Sequence, residues 1–177
     1  MVALAENESG DENFFCGGTL IGDQWVVTAS HCLFKDRDGL DPMVSSELVI
    51  VLGEHDTADI AESKIPRKTV SVVQIITHEN YNPANDDNDI ALLKLGESVD
   101  LDVYTPACVA DSGDDFVGDT AWVYGEISKC FYLSKRIFKG WGSQSSGGAA
   151  PEKLLEVDVE IVSQDVCKVA MAPYDVN

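Results

Sequence analysis

The sequence contains no run of about 18 apolar residues, so none of its helices can be expected to span a bilayer. Its start, Met1-Val2-Ala3-Leu4-Ala5, is too short for the apolar core of a secretion signal and is interrupted by Glu6 and Glu8. Basic residues are scarce: 12 Lys and Arg stand against 31 Asp and Glu, for a formal charge of −19. Such a surface repels phosphate backbones, which excludes nucleic acid as a natural partner and favours solubility in a salty fluid. Histidine is rarer still, with three in the chain, and His78-Glu79 has no second histidine at zinc-motif spacing. That excludes a helical zinc-hydrolase site. Helical periodicity is also nearly missing. One short helix is expected, capped by Ser163 and carrying Val166, Cys167 and Ala170.

What the chain does have is short β segments and enough apolar residues, 45%, to build a core. Gly17 to Ile21 and Gln24 to Thr28 read as a hairpin around Gly22-Asp23. Leu48 to Leu52 is a wholly apolar strand that stops at Gly53, Thr69 to Thr77 is a longer β-branched one, and Ile90 to Leu95 is another short one. From Leu154 to Val162 apolar and acidic residues alternate, the pattern of a strand with one buried and one solvated face. Many short strands at uneven spacing imply an all-β sandwich or barrel. Residues 97–113, with Pro106 and several small and acidic residues, read as a connector between units.

Five cysteines (16, 32, 108, 130 and 167) make an odd set. Cys16 and Cys32 bracket the hairpin and could staple it, which favours an oxidising, secretory compartment. The other three cannot all pair within the chain. One segment departs from its surroundings. Residues 126–140 hold Cys130 and four of the 12 basic residues (Lys129, Lys135, Arg136 and Lys139). Removing them would join Val123-Tyr124-Gly125 to Trp141-Gly142-Ser143.

His31 lies in Trp25-Val26-Val27-Thr28-Ala29-Ser30-His31-Cys32, and Asp89 in Asp87-Asn88-Asp89-Ile90-Ala91-Leu92-Leu93-Lys94-Leu95. A histidine beside a stapled cysteine is held rigidly, as a general base needs to be. An aspartate opening an apolar strand can be partly buried and can orient an imidazole. Together with Cys16-Gly17-Gly18-Thr19-Leu20-Ile21, Leu52-Gly53-Glu54-His55, Ile76-Thr77-His78-Glu79-Asn80-Tyr81 and Pro106-Ala107-Cys108, these segments resemble the chymotrypsin-like (trypsin-like) serine proteases, in the family's order. Gly125 and Trp141-Gly142 resemble a further signature, split by residues 126–140.

The resemblance implies a double six-stranded β-barrel, with the first barrel nearly complete over 1–103. Residues 104–177 then hold the inter-barrel connector and a partial second barrel interrupted at 126–140. It implies catalytic roles for His31 as general base and Asp89 as its orienting carboxylate, and a disulfide between Cys16 and Cys32. It also implies protein or peptide substrates, protein inhibitors, secretion and a monomeric state, with no nucleic-acid or membrane partner. No cofactor is implied. Glu54 stands where many members begin a calcium loop, with Glu62 as a second candidate ligand, although a solvated acidic loop is the expected state there. His55 and His78 are expected to be surface residues.

The family's nucleophile motif, Gly-Asp-Ser-Gly-Gly-Pro, does not occur in the sequence. Asp111-Ser112-Gly113 and Ser146-Gly147-Gly148 are partial look-alikes in loops the resemblance assigns elsewhere. The family serine follows its aspartate by roughly 90 residues, which would lie past Asn177 together with the oxyanion hole. Cys167 is then expected to pair downstream of Asn177, and Cys108 with a partner outside the chain. The expectation is a partial sequence of a protease, inactive by itself, with 126–140 resembling a retained intron. A secreted, non-catalytic protease homologue that binds a partner is the alternative.

Overall fold

A computed structural model describes residues 1–7, 13–36, 39–55, 64–123 and 157–171. The chain divides into two compact units. One comprises Met1–His55 with Asp59–Val109, and the other Asp56–Ala58 with Ala110–Asn177.

The first unit is a closed barrel. Its strands are β1 (Val2–Glu6), β2 (Phe14–Gly22), β3 (Trp25–Thr28), β4 (Leu48–Leu52), β5 (Lys68–Thr77) and β6 (Ala91–Leu95). They close antiparallel in the order β1-β2-β3-β6-β5-β4. Closure leaves no strand edge unpaired, so the short strands need no covering layer. Register irregularities in β1 at Leu4/Ala5, β2 at Leu20/Gly22 and β5 at Val72/Gln74 supply the bends that closure requires.

The interior is filled from every strand: Leu4, Leu20, Val26, Ile50, Leu52, Val70, Val72, Leu93 and Leu95 are all buried in one cluster. Each large aliphatic side chain fully withdrawn from water contributes about 1.5–3 kcal/mol. β6 shows the expected period of two, with Ala91, Leu93 and Leu95 inward and Leu92 and Lys94 half-exposed. β4 is buried throughout. Gly18 is small for a reason: a Cβ there would lie 2.8 Å from Val26 Cγ1.

Gly53, just after β4, has φ +72°, and a Cβ would sit 2.4 Å from the Pro66 carbonyl oxygen. Gly53→Ala is therefore expected to cost about 1–3 kcal/mol, through left-handed strain and a forced shift of the backbone before β5. A urea-unfolding midpoint equal to that of the parent chain would contradict this close approach.

The strands expected at 48–52, 69–77 and 90–95 match β4, β5 and β6 to within a residue. The later β7 (Thr120–Val123) was not anticipated as a strand. The connector expected at 97–113 is stitched to the barrel as far as Ala107. Val99 is buried and its N–H donates to Asp23 O, Tyr104 Oη donates to Pro66 O, and Ala107 N–H donates to Leu20 O.

In the second unit β7 pairs antiparallel with β8 (Val157–Glu160), followed by α1 (Gln164–Met171). Ser163 caps this helix as expected, its Oγ accepting from Val166 N–H at 3.4 Å and its carbonyl from Cys167 N–H. Residues 126–140, Cys130, Trp141-Gly142 and Ser146-Gly147-Gly148 lie outside the described residues, as do residues 154–156 of the expected alternating strand.

Candidate functional site: a histidine–aspartate pair on one barrel

The β3–β6 ladder brings His31 and Asp89 together. Thr28, the last residue of β3, pairs with Ala91, the first of β6. His31 lies just beyond one end of that rung and Asp89 just beyond the other.

His31 sits in a short 3-10 turn, Ser30–Leu33, that follows β3. Ser30, Cys32 and Leu33 are buried, so the turn is anchored by its neighbours while the imidazole is left 51% exposed. Cys32 is bonded to Cys16 on β2, with Cα atoms 6.1 Å apart. Thr28 Oγ1 donates to Gly17 O at 2.8 Å, a second tie between the histidine segment and β2.

Asp89 is delivered by a tightly turned loop. Asp86 and Asn88 both adopt left-handed backbone, φ 58° and 57°, which Asn and Asp tolerate better than most residues. Asn88 Nδ2 donates to Asn80 O at 2.9 Å, and Ile90 N–H donates to Asn88 O at 2.8 Å, a three-residue turn centred on Asp89. The side chain is 21% exposed, hence partly buried as the strand-opening position suggests.

The carboxylate clasps the histidine at two points. Oδ2 lies 2.6 Å from His31 Nδ1, and Oδ1 accepts from the His31 backbone N–H at 2.8 Å. An ionised carboxylate only accepts, so the Nδ1 proton is the one shared with Asp89 and Nε2 keeps its lone pair. Nε2 is 3.6 Å from the Cys32 sulfur. Tyr81 stacks on Phe34 with ring centroids 5.7 Å apart. Burial, and then the charges of Asp89 and Asp86, hold its phenol above the ordinary value of 10, so it stays neutral beside the pair.

The other candidates fall elsewhere. Glu54 does not belong to a solvated acidic loop: its side chain is 2% exposed. Oε2 pairs with Arg67 Nε at 2.7 Å, and Oε1 accepts from His55 N–H at 3.0 Å. A calcium ion would have to displace that guanidinium, so Glu54 as placed is a poor ligand. Glu62 lies outside the described residues. His55 and His78 are exposed, and His78 Nδ1 accepts from Asn80 N–H. Among the described residues one cluster has metal-ligand proximity, Cys16, His31 and Cys32, and its two sulfurs are bonded to each other. Cys108 is exposed and outside any disulfide. Two features of the site escaped the reading of the sequence: Ser30, whose hydroxyl is considered below, and Tyr81. Both lie inside quoted motifs, yet their contacts join segments far apart in the chain.

The sequence profile of the family described as Trypsin matches residues 1–128, ending inside the 126–140 segment. The serine protease filzig of Drosophila melanogaster is 36% identical over 86% of this chain and 8% of its own length. Human mannan-binding lectin serine protease 1 is 32% identical over 90% of this chain and 21% of its own. Trypsin-1 of the crayfish Astacus astacus is 32% identical over 94% of this chain and 61% of its own. The chain thus spans less than two thirds of each of these relatives. The closed barrel, the scarcity of helix and these matches define a chymotrypsin-like fold, and the chain belongs to the trypsin family of serine proteases.

Proposed function

We propose that the parent protein is a secreted, monomeric serine endopeptidase acting on proteins or peptides and open to protein inhibitors. The 177 residues at hand supply two of its three catalytic groups. His31 would take a proton from a serine hydroxyl through Nε2 as that oxygen attacks the scissile carbonyl, then return it to the departing amine. Asp89 keeps the imidazole in the right tautomer and stabilises the imidazolium. The observation that carries this reading is the two-point clasp of Asp89 on His31, which leaves Nε2 as the free base. The Cys16–Cys32 disulfide supports an oxidising location. No cofactor is needed for this chemistry.

The nucleophile motif is absent from the sequence, so the chain by itself is expected to leave a fluorophosphonate serine probe unreacted. Stoichiometric labelling of contaminant-free chain would overturn that expectation. In a longer gene product that carries the serine, Asp89→Asn is expected to lower kcat by about 10⁴-fold, since it stabilises the wrong tautomer. A longer transcript encoding another residue at the serine position would instead make the protein a non-catalytic binding homologue.

A further inference from the structure

The β3–β6 ladder ends at Thr28↔Ala91, short of both His31 and Asp89. Beyond it the connection is made by a side chain. Ser30 is fully buried, and its Oγ donates to Ile90 O at 2.7 Å, joining residues 60 apart in sequence. Ser30 immediately precedes His31, and Ile90 immediately follows Asp89. We propose that the Ser30 hydroxyl is a positioning residue of the His31–Asp89 pair, fixing the backbone that carries the carboxylate against the backbone that carries the imidazole. This rests on reading that pair as a proton relay.

The surroundings favour this role over simple satisfaction of a buried acceptor. Ile90 O already accepts from His78 N–H at 3.1 Å, so it keeps a partner without the serine. The bond to Ser30 is the shorter of the two, and it runs between the same two segments that the pair joins. Asp89 itself sits in the three-residue turn between Asn88 and Ile90, outside the strands and joined by backbone hydrogen bonding to the segment after β5, not to the histidine segment. A freely hinged carboxylate there would lose the simultaneous contacts to Nδ1 and to the His31 N–H. Both must be held within a few tenths of an ångström to select one tautomer. Thr28 provides an internal control. It too is a buried hydroxyl donating to a carbonyl, Gly17 O at 2.8 Å, but it ties the histidine segment to β2 and not to the aspartate.

The test is proton NMR of the full chain, following the far-downfield proton that a short charge-assisted bond between His31 Nδ1 and Asp89 produces. The parent chain and Thr28→Val are expected to show this resonance, Ser30→Ala to lose it, and Ser30→Thr, which keeps a hydroxyl, to restore it. Circular dichroism establishes that each variant is folded. If the added methyl prevents Ser30→Thr from folding, the contrast between Ser30→Ala and Thr28→Val decides alone. A folded Ser30→Ala that keeps the resonance overturns the proposal. So does a Ser30→Ala that does not fold, or a Thr28→Val that loses the signal equally. A folded parent chain with no such resonance overturns the proton-relay reading itself, and the role of Ser30 with it.

Discussion

Arg67→Leu is expected to destabilise the barrel by about 3–5 kcal/mol, among the largest single-residue effects in the chain. The Glu54 carboxylate is almost wholly withdrawn from water just after β4, and the Arg67 guanidinium reaches it from just before β5. A buried ion pair adds little net stability, because desolvation offsets most of the attraction. Removing one partner is different, since the remaining charge stays in a low-dielectric site. The double variant Glu54→Gln/Arg67→Leu is accordingly expected to be more stable than Arg67→Leu alone, because no charge is stranded. Urea denaturation of the three proteins checks both statements. A loss below about 1 kcal/mol in Arg67→Leu would mean that the pair behaves as a surface one.

The second large effect concerns the disulfide. Cys16 and Cys32 are 16 residues apart, and closing a loop of that size withdraws about 3 kcal/mol of conformational freedom from the unfolded chain in the chain-entropy account. Cys16→Ala/Cys32→Ala should therefore melt about 6–12 °C lower in a domain of this size. The bridge also secures the 3-10 turn of His31, so the imidazole should become more reactive toward diethyl pyrocarbonate as the turn loosens. Calorimetry of the paired variant beside the oxidised parent measures the first effect. Melting points within about 2 °C of each other would show that the barrel alone holds the hairpin.

How far the sequence could be read depended on whether its signals were local. β4 and β6 were visible because short, mostly apolar runs survive without knowledge of any neighbour. Val2-Ala3-Leu4-Ala5 is buried on both faces and carries no alternation, so periodicity gives β1 no support. β7 is only Thr120–Val123, too short to show a period. His31 and Asp89 were legible through their flanking motifs, while the reason they meet, the Thr28↔Ala91 rung, is a fact of pairing. Glu54 was misjudged for the same reason. Nearby acids suggested a solvated loop, but its environment is set by Arg67, 13 residues on and across the β4–β5 junction. Composition describes an average surface and cannot locate one carboxylate.

The His31–Asp89 pair lies wholly within the first compact unit. Bringing the two side chains together therefore takes only contacts made inside that unit. A serine nucleophile has to come from outside this pair, so an intact His–Asp pair is by itself weak evidence that a chain cuts peptides.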